Sequence, residues 1–288
     1  MSEQVQTVAY LGPEASFSHV AASEFFKKET LLPHQTIPDC IEAVANGKVD
    51  YAIVPLENAL EGSVPLTIDY LFHGDELFIG AEVLLPIEQH LLIHEQNKDK
   101  VKDVTAIMSH PHALAQCHKF FQYHYHGTPL VPRTSTAEAA RYVAEHPEEN
   151  IAAIANRFAV KKYDLHLAEE RVHDFHFNHT RFVVLSKENM TFDKLGRRET
   201  PKTMLMIRLP EDDESGMLHR ILSVFAWRRL NLSKIESRPL KTGLGDYFFI
   251  ADVLEDETHP MMKGALEELA ALGCVVRSFG TYYVYDYS

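Results

Sequence analysis

The chain has 288 residues, of which 45% are hydrophobic and 24% charged, and its formal net charge is −13 at pH 7. This composition is typical of a globular protein of roughly two domains. The acidic balance argues against a general nucleic-acid-binding surface, which needs a basic face. It also means that an anionic ligand would need a local positive site.

The cysteines and the N-terminal residues give information on the cellular compartment of the protein. Cys40, Cys117 and Cys274 are isolated in the sequence and odd in number, which predicts buried thiols in a reducing environment rather than a disulfide framework. The N-terminal residues lack the basic and apolar regions of a signal peptide, and no apolar run approaches the length of a membrane span. A cytoplasmic location is therefore expected.

Short apolar runs alternate with helical patterns up to residue 185. The predicted strands are residues 5–11, 51–54, 106–108, 130–131, 151–155 and 181–185. The predicted helices are residues 16–26, 40–47, 65–72, 113–123, 137–145 and 157–163. Residues 79–94 form a long extended stretch, interrupted by Pro86, that could run from one lobe into another. This alternation predicts an α/β fold with one or two mostly parallel sheets and flanking helices.

The segment around residues 51–65 is the most informative. The predicted strand ends at Pro55, and three polar side chains follow it closely: Glu57, Asn58 and Glu61. The sequence Gly-Ser-Val-Pro comes next and is typical of a helix start. Polar groups between a strand end and a helix N-terminus are typical of ligand sites in α/β proteins. The alternative is an acidic surface turn, because turns favour the same residues.

Several predicted helices follow a strand and begin at a serine. The candidate N-caps are Ser16 or Ser18, Ser63, Ser109, and Ser135, which has Glu138 three residues on as in a capping box. If the strands are parallel, these N-termini gather at one edge of the sheet and offer backbone N–H groups to an anion. Ordinary capping without any ligand is the alternative.

The pattern changes near residue 190. Residues 187–201 are polar and aperiodic, as in a linker. Beyond them the predicted order is strand 203–209, helix 216–230, strands 233–239 and 246–255, helix 261–272 and strand 275–285. This βαββαβ order is that of a ferredoxin-like unit. An α/β body with such a tail suggests catalysis combined with regulation, by analogy of fold.

The chain contains 17 histidines, which raises the question of a metal site. His173, His176 and His179 recur every three residues and could bind a metal. They follow neither a helical nor an H-E-x-x-H pattern, and no cysteine lies close in sequence. Surface or loop histidines are therefore the preferred interpretation, and no metal is expected.

Motif-like segments are spread over nearly the whole chain. They are residues 12–18 (GPEASFS), 54–64 (VPLENALEGSV), 109–117 (SHPHALAQC), 135–140 (STAEAA), 152–156 (AAIAN), 178–182 (NHTRF), 216–218 (GML) and 236–239 (ESRP). In this order they resemble the motifs of the prephenate dehydratases, including the N-x-T-R-F signature and the E-S-R-P motif of the family's ACT domain. The sequence departs from the family pattern at Ala15 and Ser16 (Gly-Thr), Ala59 (Ser), His112 (Gln) and Met217 (Ala).

The resemblance implies a fold and a domain plan. The expected fold class is α/β, with a two-lobed catalytic domain similar to periplasmic binding proteins over residues 1–190. Its second lobe would cover roughly 84–177. A linker over residues 191–202 would lead to a ferredoxin-like ACT regulatory domain over residues 203–285. No chorismate mutase segment precedes the catalytic part, so the resemblance is to the monofunctional type.

The resemblance also implies an activity, the decarboxylating dehydration of prephenate to phenylpyruvate, water and CO2 in L-phenylalanine biosynthesis. Hydroxide is a poor leaving group, so a hydrogen-bond donor should assist its departure. We expect Thr180 to be that donor, Asn58 to orient the substrate, and Arg181 to bind a carboxylate with its planar fork, although a salt bridge to Glu57 or Glu61 is the alternative for Arg181. No cofactor or metal is required.

Further residues are expected to bind ligands on the same grounds. The expected substrate-binding residues are Ser16, Glu57, Glu61, Ser63, Ser109, Ser135, Thr136, Asn178 and Phe182. Phenylalanine is the implied allosteric effector. Its expected binding residues are Gly216, Met217, Leu218, Glu236, Ser237, Arg238 and Pro239.

The βαββαβ tail, with one open sheet face and exposed edges, favours a homodimer or homotetramer. Two rival functions remain at this point, namely an arogenate dehydratase and a non-enzymatic ligand sensor.

Overall fold

The computed structural model describes residues 5–193, 196–210, 215–240 and 247–287. Contacts divide the chain into two compact units. The first contains residues 1–68, 84–182 and 287–288, and the second contains residues 69–83 and 183–286. Within the described residues, no helix combines the length and the apolar character that a membrane span requires.

Strands and helices alternate along most of the chain. The strands are β1 Thr7–Leu11, β2 Thr30–His34, β3 Tyr51–Asn58, β4 Gly62–Ser63, β5 Phe78–Pro86, β6 His90–His94, β7 Ala106–Ser109, β8 Leu130–Pro132, β9 Ile151–Ala155, β10 Leu165–Glu169, β11 His179–Ser186, β12 Lys202–Arg208, β13 Leu232–Pro239, β14 Tyr247–Val253 and β15 Val275–Asp286. The helices are α1 Phe17–Phe25, α2 Ile37–Ala45, α3 Pro65–His73, α4 Pro111–Gln116, α5 His118–His124, α6 Thr136–Glu145, α7 Arg157–Tyr163, α8 Met217–Trp227 and α9 Pro260–Ala271. A 3₁₀ segment, Glu95–Asp103, follows β6.

One sheet of the first unit is built around β1. This strand pairs in parallel with β2 on one side and with β3 on the other, and β3 also neighbours β11. The apolar run of β1 is buried, so its side chains form the core of this lobe. The sequence pattern missed β2 because most of its residues are exposed and it contains Pro33.

The other sheet of the first unit has the strand order β10-β6-β9-β7-β8. β7 is parallel to β8 and β9, whereas β6 is antiparallel to both β9 and β10. The sheet is therefore mixed, and the expectation of mostly parallel pairing is wrong for this lobe. Strand β9 is buried along its whole length, with Ala153 and Ala155 facing one core cluster and Ala152 and Ile154 the other. Burial on both faces explains an apolar run without alternation, but such a run carries no information on strand direction.

Two predicted element boundaries are wrong. Pro55 does not end β3, which continues to Asn58. β3 pairs with β1 over residues 51–53, and its pairing with β4 begins at Glu57. Pro55 lies between these two ladders, where its missing N–H costs neither of them a hydrogen bond. The single helix expected over residues 113–123 is two helices, α4 and α5, separated at Cys117, whose φ of −114° and ψ of 19° depart from helical values.

The second unit has the order β12-α8-β13-β14-α9-β15 in its C-terminal part. The four strands lie in the order β13-β14-β12-β15, and each neighbouring pair is antiparallel. This is the βαββαβ arrangement. Helices α8 and α9 cover one face through a cluster that includes Ile221, Phe225, Met262 and Leu269. The predicted strand start at residue 246 lies outside the described residues, as do residues 194–195 of the predicted linker.

The opposite face of this sheet is covered as well. Met204, Met206 and Phe248 are almost fully buried on that face. The ring of Phe72, in the C-terminal half of α3, stacks on Phe248 with 3.9 Å between centroids. The expectation of an open sheet face is therefore wrong, because a segment distant in sequence supplies the covering side chains.

Candidate functional site

A cavity of about 780 Å³ lies in the first unit. Its wall combines the ends of β1, β3 and β11 with the first turns of α1, α3, α4 and α6. Many polar side chains line it, namely Ser16, Ser18, Gln35, Asn58, Glu61, Ser63, Gln89, His110, His112, Gln116, Thr134, Ser135, Thr136 and Thr180. The cavity therefore gathers groups from segments up to about half the chain apart.

Asn58 holds one wall of this cavity together. Its Oδ1 accepts hydrogen bonds from the backbone N–H groups of Leu60 (3.0 Å) and Glu61 (3.2 Å), which fixes the turn between β3 and β4. These two donors identify the oxygen of the amide, so the other atom is the donor Nδ2. Nδ2 donates to Thr180 Oγ1 and to Asn178 Oδ1, both at 2.9 Å.

Thr180 is buried, and its hydroxyl lines the cavity. Because Thr180 Oγ1 accepts a hydrogen bond from Asn58, the hydroxyl proton is left to donate in another direction. Thr180 and Phe182 are two residues apart on β11 and both line the cavity, as the alternation of a strand requires. The wall of the cavity thus contains the largely buried side chain of Thr180, whose hydroxyl is oriented by Asn58.

Arg181 lies between these two residues on β11 and is not among the described residues that line the cavity. Its Nη1 donates to Glu57 Oε2 at 2.5 Å, and both side chains are largely buried. This placement differs from the expectation that Arg181 binds a substrate carboxylate and agrees with the alternative of a salt bridge. The physical reason is strand alternation, which turns Arg181 to the face opposite Thr180.

Two expected N-caps lie at the cavity. Ser16 Oγ accepts from the backbone N–H of His19 at 3.2 Å and caps α1, and Ser135 Oγ accepts from Glu138 N at 3.0 Å and caps α6. Thr136, the first residue of α6, also lines the cavity. These helices therefore direct positive dipole ends and N–H groups toward the space that a ligand would occupy.

The other two expected N-caps are placed differently. Ser63 lines the cavity but lies in β4, two residues before α3 begins. The prediction that Ser109 caps a helix is wrong. Its Oγ donates to Ile154 O at 2.6 Å in the core. His110 caps α4 instead, because its Nδ1 accepts from His112 N at 3.3 Å. Ser109 ends a fully buried stretch of β7, so its hydroxyl donates to a backbone carbonyl of the neighbouring strand rather than to a ligand.

The ionisable side chains among the described residues that line the cavity are Glu61, His110 and His112. His112 Nδ1 lies 3.8 Å from Glu61 Oε2. The rings of His110 and His112 are 5.0 Å apart in an edge-to-face arrangement. Burial lowers the pKa of His110, the charge of His112 lowers it further, and Glu61 opposes this effect.

Sequence reasoning missed several lining residues: Gln35, Gln89, His110, Gln116 and Thr134. Gln89 Nε2 lies 3.5 Å from Gln116 Oε1, which joins the entry to β6 with the end of α4. Gln116 and His110 belong to the recognised SHPHALAQC segment, so the signal was available. Gln89 lies in a short connection between β5 and β6 that has no distinguishing pattern. Asn178, an expected substrate contact, is buried behind Asn58 rather than exposed to the cavity.

A second cavity, of about 620 Å³, lies in the second unit at the start of α8. Four of the residues predicted to bind the effector line it, namely Gly216, Met217, Leu218 and Ser237, together with Leu209, Ser215, Tyr247 and Phe249. Gly216 has a φ of 93°, a left-handed conformation that favours glycine.

The remaining expected effector residues are not among the described residues that line this second cavity. Strand alternation places Glu236 and Arg238 on the other side of β13 from Ser237, where Arg238 Nη2 lies 3.7 Å from Asp69 Oδ1. Pro239 ends β13 and is exposed.

The histidines considered for a metal have other contacts. His173 Nδ1 accepts from the backbone N–H of Gln89 at 3.2 Å, and its ring packs edge-on against His176. His179 Nδ1 lies 2.8 Å from Phe177 O. Within the described parts of the chain, the groups spaced for a metal are His146, Glu148 and Glu149, which lie outside the cavity.

The polar cavity lies between two sheets, and several helix N-termini point into it. This arrangement is that of a two-lobed α/β ligand-binding domain. Comparison with known proteins gives the family. The sequence model of prephenate dehydratase matches residues 8–190. The chain is 52% identical over 284 residues to the prephenate dehydratase of Bacillus subtilis, covering 97% of this chain and 99% of the relative.

Solved structures extend the comparison over the whole chain. The prephenate dehydratase of Arthrobacter aurescens in complex with L-Phe superposes with a TM-score of 0.84 at 33% identity, covering 96% of this chain and 89% of that one. GqqA, described as a novel type of quorum quenching acylase, superposes with a TM-score of 0.84 at 28% identity, covering 97% and 98%. The chain belongs to the prephenate dehydratase family. Its activity is that of a lyase, the decarboxylating dehydration of prephenate in L-phenylalanine biosynthesis.

Proposed function

We propose that the cavity of the first unit is the active site for prephenate and that Thr180 is the donor to the departing hydroxyl. In this reaction the bond from the ring carbon to its carboxylate breaks, and its electron pair aromatises the ring. The C–O bond on the opposite ring carbon breaks in turn, and the leaving hydroxide takes up one proton to become water. A fixed O–H donor in a dry wall stabilises the charge that develops on that oxygen.

The observation that carries this proposal is the hydrogen bond of 2.9 Å from Asn58 Nδ2 to Thr180 Oγ1. Asn58 cannot reverse this bond, because its Oδ1 is held by Leu60 N and Glu61 N. Thr180 must therefore accept from Asn58 and donate elsewhere. Asn58 is in this respect a positioning residue that keeps the donor aimed at the substrate.

The helix N-termini at the cavity supply the positive environment for the two carboxylates of prephenate. Among the described lining residues there is no lysine or arginine, so we assign this role to the N–H groups at the starts of α1 and α6 and to the hydroxyls of Ser135 and Thr136. Ser16 shapes the start of α1, because its Oγ accepts from His19 N and donates to Leu11 O at 3.0 Å. Ser63 and Phe182 complete the wall. Arg181 and Glu57 act through each other, holding β3 and β11 together behind Thr180.

The proposal is tested by supplying purified full-length protein with prephenate and following phenylpyruvate. The same assay with arogenate, following phenylalanine, separates the two substrates of this chemistry. Turnover of prephenate that is abolished in Thr180→Ala but retained in Thr105→Ala supports the assignment. Equal turnover in both variants would remove Thr180 from the reaction.

We propose that the βαββαβ part of the second unit is an ACT regulatory domain and that phenylalanine binds in its cavity. The relative from Arthrobacter aurescens was solved with L-Phe, and here the G-M-L segment and Ser237 converge on one space of suitable size. Glu236 and Arg238 then belong to the support of β13. We further propose a homodimer or homotetramer, in which exposed edges of this unit pair with a second copy.

The three cysteines are buried, and none of them forms a disulfide in the described part of the chain. Burial raises the pKa of Cys40 to about 12 and raises that of Cys117 as well. Unreactive thiols without disulfide partners support our proposal that the protein works in the cytoplasm.

A further inference from the structure

The electrostatics of the active-site cavity depend on a single pair of side chains. Glu61 and His112 are two of its three ionisable lining residues, and their nearest oxygen and nitrogen atoms are 3.8 Å apart. They come from different lobes of the first unit: Glu61 from the turn after β3, and His112 from the first turn of α4. The third ionisable group is His110, whose pKa is lowered mainly by burial.

Both side chains of the pair are exposed, His112 by 62% and Glu61 by 47%, whereas their backbones are held by hydrogen bonds. The N–H of Glu61 donates to Asn58 Oδ1, and the N–H of His112 donates to His110 Nδ1. Glu61 faces His112 from the turn after β3, and the ring of His110, the N-cap of α4, lies 5.0 Å from the ring of His112. Replacing His112 with a neutral residue therefore removes this partner from the carboxylate of Glu61.

Prephenate and arogenate differ in net charge, so a charged group in the cavity wall acts on them differently. Prephenate is a dianion, with a carboxylate on the ring and a keto acid on its side chain. Arogenate carries an ammonium group in place of the keto oxygen, so its net charge is −1. An uncompensated carboxylate in the wall repels prephenate more strongly and attracts the ammonium group of arogenate.

We propose that His112 is a specificity-determining residue, which neutralises Glu61 and so favours the dianionic keto acid over the amino acid. This inference rests on the proposed active site. The pair acts beside the positive helix ends, in a cavity whose described lining residues include no lysine or arginine. The positive helix ends bind carboxylates generally, whereas the Glu61–His112 pair distinguishes one substrate from the other.

The test is a double-mutant cycle with His112→Gln, Glu61→Gln and the variant carrying both changes. We measure kcat/KM for prephenate and for arogenate at low ionic strength and at about pH 6, below the usual pKa of histidine. Where arogenate turns over too slowly, its Ki as a competitor of prephenate replaces kcat/KM. His112→Gln should shift the preference toward arogenate by about two- to fivefold, the range of partly exposed ion pairs.

Glu61→Gln should shift the preference toward prephenate, and the double variant should return it close to wild type. A second histidine–glutamate pair provides the matched control, because His166 Nδ1 lies 3.4 Å from Glu95 Oε2 away from the cavity. His166→Gln and Glu95→Gln should leave the preference unchanged.

Each remaining outcome contradicts a separate claim. If wild-type protein turns over prephenate but all three variants keep its preference, His112 does not determine specificity. If wild-type protein turns over neither substrate, the proposed function itself fails. An equal loss of both substrates in His112→Gln would show a structural role and overturn the inference as well.

Discussion

Asn58 Nδ2 donates a hydrogen bond of 2.9 Å to Thr180 Oγ1, joining the end of β3 to β11 across 122 positions of sequence. The direction of this bond is set by the turn after β3, whose N–H groups occupy the amide oxygen. The threonine hydroxyl therefore donates its proton away from Asn58, and in the proposed reaction the acceptor is the departing hydroxyl of the substrate. The relationship makes the two residues one functional unit.

Asn58→Asp should therefore be as damaging as Thr180→Ala. A carboxylate at position 58 still accepts the N–H groups of Leu60 and Glu61, so the turn is kept, but it cannot donate to Thr180. Thr180 would then donate its proton to the new carboxylate instead. We expect kcat for prephenate to fall roughly 100-fold or more in both variants, as for the loss of an oxyanion donor. Thr180→Ser should retain part of the activity. Near wild-type kcat in Asn58→Asp, with an unchanged circular dichroism spectrum, would disprove the linkage.

The Glu57–Arg181 pair gives a second prediction. If Arg181 acts only through Glu57, then Glu57→Gln and Arg181→Lys should lower kcat to a similar degree, and combining them should cost little more. KM for prephenate should change little in any of the three variants. A rise in KM confined to Arg181→Lys would instead assign Arg181 to a substrate carboxylate, which the planar guanidinium binds better than an ammonium group.

Buried histidines predict a loss of stability in acid. His90 and His173 are buried, and the Nδ1 of each accepts a backbone N–H, from Arg171 and Gln89 respectively, at 3.2 Å. Burial lowers the pKa of both below the unfolded value. The unfolded chain thus binds more protons in the interval between the two pKa values, so stability is complete above about pH 6.5 and is lost as the pH falls below it.

Urea unfolding between about pH 8 and about pH 5 measures this effect, with a slope of up to ~1.4 kcal/mol per pH unit for each histidine. His90→Asn and His173→Asn should each flatten the profile, because the amide oxygen accepts the same N–H without titrating. The exposed His124→Asn serves as the control and should keep the wild-type slope. A profile that is equally steep in all three variants would assign the acid sensitivity to other groups.

The second unit contains a buried ion pair, in which Lys202 Nζ donates to both oxygens of Glu82 at 3.1 and 3.0 Å. Lys202→Met leaves a buried carboxylate without this partner and should destabilise the protein by about 3 kcal/mol or more. The double variant with Glu82→Leu should recover much of the loss. Urea unfolding gives the free energy of unfolding of both variants. Lys98→Met is the control, and it should change this free energy little because Lys98 belongs to an exposed ion pair. A double variant no more stable than Lys202→Met would show that the charge of Glu82 is not the cause.

Effector binding is tested by filling the second cavity. Ser237→Leu places bulk in the space next to Gly216 and should raise the phenylalanine concentration needed for half-inhibition of prephenate turnover by about tenfold, while leaving kcat without phenylalanine unchanged. Ser233→Leu is the control, since Ser233 is exposed on the same strand but does not line the cavity. Point variants are preferable to truncation, because residues 69–83 are part of the second unit and would lose their packing. Equal inhibition in both variants would place the effector elsewhere.

The sequence by itself determined the local elements and the chemistry. Apolar periodicity and turn residues depend on neighbours a few positions away, so most helices, the α/β character and the βαββαβ order of the tail were predictable. The resemblance of the motif segments likewise predicted Asn58, Thr180, Ser16 and Ser135 as site residues, and these four line one cavity.

Only the tertiary structure decided which of those groups meet. The direction of β6, the burial of Ser109 and the covering of the second sheet face by Phe72 all depend on strands and helices far away in sequence. The same holds for Arg181 and Thr180: one residue of register on β11 turns the guanidinium to Glu57 and the hydroxyl to the cavity. A motif gives residue types in order, whereas the face that each side chain occupies follows from pairing and packing between distant strands.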